Sequence, residues 1–211
     1  AILPRTVHFV GGHPLVAKTD RGTASASADL FAGATYCLMP GAWAKAEAVE
    51  LLVGLASTLG ANPYFLDAAE HDNFMAAVDH LPILMAAALM NVVAVSPSHR
   101  ELRKMSGGDF QQATALAAAE ATTTTQICAA NRDGLLRWLD AYTQELSHLR
   151  GLVAAGGPEL QSALEKAADS RARWLSRADD ADSEAMRAAS ESAGEQMRRF
   201  FVGELGRKRG R

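Results

Sequence analysis

The sequence predicts a mostly α protein in which a partial α/β sheet is followed by an all-helical half. Three observations predict it. The first 66 residues carry short β-branched and aromatic runs, each ended by a strong breaker. One amphipathic helix lies between the last two runs, and beyond Asp67 alanine, leucine and glutamate take over.

The strand-like runs are "TVHFV" (6–10), which stops at Gly11-Gly12, "ATYCLM" (34–39), which stops at Pro40-Gly41, and "PYFL" (63–66), which stops at Asp67. Between the second and third, "AWAKAEAVELLVGLASTLG" (42–60) places Val49, Leu52, Val53 and Leu59 at helical spacing, with Gly60 as C-cap. Strand, helix, strand is a crossover joining parallel strands. Helices are then predicted over 68–95, 97–105, 109–130, 132–154 and 158–189, with breaks at Gly107-Gly108 and Gly156-Gly157-Pro158. Asp67 is the expected N-cap of the first, with Glu70 in a capping box. The segment 179–195 is polar and weakly periodic.

Bulk properties exclude several classes. With 211 residues and 48% hydrophobic content, the chain can bury a sizeable core. A formal net charge of -3 gives no basic field for nucleic acid or anionic membrane, and the basic tail "GRKRGR" (206–211) reads as a solvated end. Cys37 and Cys128 have no metal-ligand spacing and read as buried, reduced thiols of a cytoplasmic protein. The run "LPILMAAALMNVVAV" (81–95) is shorter than a membrane span and reads as a buried helix. No metal site is expected.

The candidate chemistry begins at His13. It follows a strand-like run and two glycines, so it is expected on a tight turn at the end of a strand, where sheets present groups to ligands. Gly11 and Gly12 allow the backbone to approach a ligand closely, and Pro14 stiffens the chain beyond the histidine. An imidazole there suits proton transfer near neutral pH. No third glycine leads into a helix, so the spacing alone builds no nucleotide site. His71 and His80 fall on opposite faces of a straight helix, whereas Asp72, Ala76 and His80 share a stripe. Pro82 cannot donate to the Val78 carbonyl and is expected to bend the helix beside His80, forming a pocket wall. Arg100, Arg103 and Lys104 share one helical face that can receive a carboxylate. "TTTTQ" (122–126) is either a weak point in a helix or a hydroxyl-lined surface. Trp138, Tyr142 and Leu146 make a core or subunit-contact stripe.

Together, "FVGGHP" (9–14), "ADLFAGATYCLMP" (28–40), "LGANPYFLDAAEHD" (59–72) and "HLP" (80–82) resemble, in order and spacing, the prephenate and arogenate dehydrogenases of tyrosine biosynthesis. "AANRDGLLRWLDAYTQEL" (129–146), with Asn131 near its start, resembles a later helix of that family. The likeness runs from about residue 5 to 155. It implies that residues 1–66 are the C-terminal remnant of a Rossmann-like dinucleotide-binding domain. Residues 67–211 would form a helical substrate-binding and dimerisation domain. The implied reaction is an NAD- or NADP-dependent oxidative decarboxylation of a small cyclohexadienol. His13 would be the catalytic histidine that accepts a hydrogen bond from the ring hydroxyl and helps remove its proton, and His80 would line the substrate pocket. Gly11 and Gly12 would be the cofactor-side contacts, with NAD or NADP bound mainly by a region absent from this chain. A homodimer is implied, and the chain is expected to be a fragment that does not turn over alone.

Departures from the family pattern bear on the substrate. The segment "GDFQQATAL" (108–116) has Ala115 where the family's carboxylate-binding arginine stands, and Gln111 at the preceding basic position. Each lost charged contact is worth ~1.5–3 kcal/mol. Arg100 and Arg103 are the expected substitutes. Asp79 replaces a small hydroxylated residue before His80. The same losses motivate two rival readings: a non-catalytic dimerisation or ligand-sensing module, and a reductase of a different hydroxy acid.

Overall fold

The computed structural model describes residues 3–4, 6–16 and 23–177. The expected end of the last helix at 189, the polar segment 179–195 and the tail 206–211 lie outside the described residues. The chain divides into two compact units, Ala1–Ala68 with Ser162–Arg211, and Ala69–Gln161.

The first unit holds a three-stranded sheet in the order β1 (Val10–Leu15), β2 (Thr35–Pro40), β3 (Asn62–Phe65). β2 and β3 run parallel and are joined by α1 (Ala46–Thr58), as the strand–helix–strand pattern predicts. α1 packs against all three strands and buries Val49 and Ala56. It ends as expected: Leu59 N–H bonds to the Leu55 carbonyl, and Gly60 turns the chain at φ 74°. Central strand β2 supplies Cys37 and Leu38, both almost wholly buried. Burial of a leucine side chain stabilises by about 1.5–3 kcal/mol.

β1 differs from expectation. The run 6–10 is not the strand; Val7 closes a turn onto the Pro4 carbonyl, and the strand is "VGGHPL" itself. Gly11, Gly12, His13 and Pro14 therefore lie inside β1, antiparallel to β2, rather than on a turn after it. The reason is the edge position. The Gly41 N–H donates to the Phe9 carbonyl at 3.0 Å, which sets the ladder phase. Gly11, His13 and Leu15 then turn their backbone groups to β2, while Val10, Gly12 and Pro14 turn theirs outward. A proline with no N–H is tolerated on that outer side.

In the second unit, α2 (Ala68–Met75), a π turn (Ala76–His80) and α3 (Leu81–Ala94) form one continuous run of 27 residues. The π turn is the structural answer to Pro82. The Leu81 N–H reaches five residues back to the Ala76 carbonyl, absorbing a ladder that the proline interrupts. α4 (His99–Met105) and α5 (Gly108–Thr114) come next, then a tight turn (Ala115–Ala118), α6 (Ala121–Ala130) and α7 (Arg132–Ala155); α8 (Pro158–Arg177) starts in this unit, but from Ser162 on its residues are grouped with the first.

The helix expected over 109–130 is broken at 119–120. Glu120 is extended, and its carboxylate accepts from the Thr122 N–H at 2.8 Å and the Thr123 N–H at 2.6 Å. The threonine run is thus the first turn of a capped helix. α7 ends at Gly156, φ 65°, whose N–H bonds to the Leu152 carbonyl.

The core of this unit is Met75, Ala76, Leu81, Ala86 and Leu135. The apolar run 81–95 is not the buried helix expected: α3 buries only Leu81 and Ala86. Val92 is 71% and Val95 81% exposed. α4, α5, the tight turn and α7 cover only part of α3. By length and composition the run Ala68–Ala94 is apolar enough to cross a membrane, with a window of mean hydropathy 1.6. The helix begins, as predicted, well before the apolar segment, in the polar stretch that carries Glu70, His71 and Asp72.

Candidate active site

His13 is half-buried at the middle of β1, with Cys37 directly opposite on β2 and Tyr64 opposite Cys37 on β3. Side chains in register across neighbouring strands share a face, so histidine, thiol and phenol form one row. Burial pushes the Cys37 thiol pKa up, so it stays a neutral neighbour. His13 is aimed by ladder bonds to a buried strand, a firmer mount than the turn expected for it.

The glycine before it has a visible purpose. A Cβ on Gly12 would lie 2.9 Å from Cε1 of Tyr36, so the tyrosine ring occupies the space a side chain would need. Gly11 tolerates a Cβ at ordinary contact distance from Met39. Near the far end of β1, Leu15, Val16, Ser27, Asp29, Gly33 and Thr35 are among the residues lining an open pocket of about 670 Å³.

The second unit holds His80, Arg100 and Arg103. His80 is the last residue of the π turn, and its side chain is 11% exposed. Its Nε2 faces the Asp79 carboxylate at 3.6 Å. Its Nδ1 lies 3.4 Å from Nδ2 of Asn131, between α6 and α7. The same Nδ2 donates to the Asp72 carbonyl. The predicted Asp72–Ala76–His80 stripe is therefore bridged by one amide from 51 and 59 residues away. His71 turns instead to its neighbour Asp72, Nδ1 to Oδ1 3.0 Å.

Arg100 and Arg103 sit exposed on α4, without an ion pair among the described residues. Gln111 and Ala115 are exposed as well. Arg132 was missed from sequence. With Thr124, Thr125, Cys128 and four leucines it lines a second pocket of about 400 Å³. Cys128 is half-exposed there, not buried as expected. Asn131 also went unassigned; its local signal was an asparagine before a helix with glycine three residues on. Among the described residues no cluster of His, Cys, Asp and Glu could hold a metal ion.

A small mixed sheet bearing a mounted histidine, followed by a helical unit with a second histidine, is the order of a two-domain dehydrogenase. Family models match in that order: residues 1–64 to "Prephenate dehydrogenase, nucleotide-binding domain" and 67–169 to "Prephenate dehydrogenase, dimerization domain". The chain belongs to the prephenate dehydrogenase family. It is 31% identical to the prephenate dehydrogenase of Bacillus subtilis strain 168 over 155 residues, 72% of this chain and 41% of that protein. Among solved structures, Synechocystis arogenate dehydrogenase aligns with a TM-score of 0.69 at 26% identity, covering 79% of this chain and 61% of that one. Prephenate dehydrogenase from Aquifex aeolicus, in complex with hydroxyphenyl propionate and NAD+, shares the fold with a TM-score of 0.73 at 24% identity, covering 78% and 58%. The chain thus spans about two fifths of the curated relative it matches.

Proposed function

We propose that this chain supplies the substrate side of a dehydrogenase that oxidatively decarboxylates prephenate, arogenate or a near relative, with NAD or NADP, in tyrosine biosynthesis. The carrying observation is His13, within a "GGHP" strand registered on a buried central strand, in a chain that matches both family domains in order. Residues 1–66 would be the end of the dinucleotide-binding domain and 67–211 the substrate-binding and dimerisation domain.

The described residues do not build a pyrophosphate cradle. Gly11 and Gly12 lie within a strand, and the absent side chain of Gly12 accommodates Tyr36. A cradle needs a glycine turn opening a helix N-terminus. NAD or NADP would therefore be held chiefly by other parts of the whole protein, with Gly11 and Gly12 as minor contacts, and this chain alone would not turn over.

His13 would take the proton of the ring hydroxyl as the carbinol carbon is oxidised, leaving a carbonyl. Loss of the ring carboxylate as carbon dioxide then restores aromaticity. That aromatisation is downhill, so the protein's task is to orient the ring and accept one proton. His80 would line the substrate pocket. With Ala115 and Gln111 uncharged, Arg100 and Arg103 are the proposed carboxylate partners.

The dimerisation-domain match and the open apolar face of α3 support a homodimer. The two free thiols support a reducing, cytoplasmic setting.

The test is His13→Asn in the whole enzyme, with turnover and oligomeric state measured together. General-base loss predicts a fall in kcat of about 10²–10⁴-fold. Unchanged turnover with an intact dimer would favour the second reading, a non-catalytic dimerisation or ligand-sensing module, which the loss of charge at Ala115 and Gln111 motivates.

A further inference from the structure

The geometry points to Asn131 as a positioning residue that locks His80 into a single neutral tautomer, bare at Nδ1 and protonated at Nε2. The Asp72 main-chain oxygen can only accept, so the Asn131 amide must turn its NH2 toward it. That fixes which end of the amide is which. The remaining N–H of the same group then meets His80 Nδ1 at 3.4 Å, and an imidazole nitrogen facing a donor must be the unprotonated one.

A second observation agrees independently. On the other side of the ring, Nε2 faces the Asp79 carboxylate at 3.6 Å, and an anion there favours a proton on that nitrogen. The amide itself is held in place. Asn131 caps the start of α7, its carbonyl accepting from the Leu135 N–H at 3.0 Å. Gly134 is buried, and a Cβ on it would stand 2.6 Å from Asn131 Oδ1 and 3.5 Å from the Ala76 Cβ. The glycine therefore leaves the space the amide fills.

Resting on the proposed function, this divides labour between the two histidines. His13 accepts a proton; His80 presents a fixed N–H and cannot act as base at Nε2. Asn131 touches no reacting atom and acts only through His80.

The experiment is nitrogen NMR of the full chain labelled at histidine, with His80→Gln to assign the signal. The expected wild-type spectrum has His80 bare at Nδ1 and protonated at Nε2. Asn131→Ala should weaken the preference and draw the two nitrogen signals toward each other, and adding Asp79→Asn should average them. Asn131→Asp, whose carboxylate accepts where the amide donated, should move the proton to Nδ1. A merely structural asparagine would lower stability without moving these signals. A wild-type His80 protonated at Nδ1, or a spectrum unmoved by Asn131→Ala, overturns the proposal. If Asn131→Ala does not fold, Asp79→Asn at the exposed neighbour decides it: the Nε2 proton should persist with Asn131 alone, and its loss overturns the proposal. Because the tautomer is read without substrate, its outcome is separate from that of the proposed function, which His80→Gln turnover in the whole enzyme addresses.

Discussion

Replacing Gly134 by alanine tests the packing around Asn131 with one methyl group. The new Cβ would sit 2.6 Å from Asn131 Oδ1, where ordinary contact begins near 3.4 Å. The amide must retreat by about 0.8 Å, the difference of those two distances, far into the repulsive wall of a contact. It cannot retreat freely, because its Nδ2 is held by the Asp72 carbonyl and His80. Overpacking a filled site costs about 1–3 kcal/mol. Loss of one hydrogen bond costs about 0.5–1.5 kcal/mol. Against this, alanine in place of glycine favours a helix by about 0.5–1 kcal/mol. The expected net is a loss of about 2 kcal/mol, or a fall in Tm of about 4–8 °C for a chain of this size. Gly151 is the internal control. It lies on the same helix, exposed, with nothing within 4 Å of its would-be Cβ. There the helix gain stands alone, and Tm should rise by about 2 °C. Far-UV circular dichroism melts of both variants beside wild type decide the matter. If both alanines raise Tm alike, the Asn131 amide is not pinned and has no fixed hold on His80.

Local electrostatics sets two further outcomes. The Thr123 side chain and the N–H groups of Thr123 and Thr122 hold the Glu120 carboxyl at about 2, below its ordinary 4.5. A depressed folded-state value means the cap stabilises α6 fully above about 4.5 and fades as pH falls through about 2. The Thr122 and Thr123 amide shifts should titrate near that lower value, and Glu120→Gln should abolish the titration; a midpoint near 4.5 would contradict the cap. The buried Cys37 thiol, its pKa raised by burial, should resist alkylation in the folded protein while half-exposed Cys128 reacts. Two equally fast thiols, counted by mass spectrometry, would contradict the placement of Cys37.

The β2–α1–β3 crossover and the long helices were legible because hydrophobic period and breakers carry their own information over a few turns. β1 was not, because Gly-Gly-His-Pro has the local chemistry of a turn. Only the pairing with β2, and an edge where Pro14 needs no N–H, makes it a strand. The break before Ala121 was hidden for a similar reason: Glu120 is a good helix former by propensity, and only its side-chain bonds to Thr122 and Thr123 turn it into a cap.

By itself the sequence determined the β2–α1–β3 crossover and the helical half that follows it, the motif that carries His13 and the kinship with a dehydrogenase family, since these depend on residue type and short spacing. Tertiary structure alone decided that His13 stands in a row with Cys37 and Tyr64, and that one amide grips His80 from 51 residues away. Such contacts are made by strand register and helix packing, which sum over many residues and leave no mark in the local pattern of any one of them.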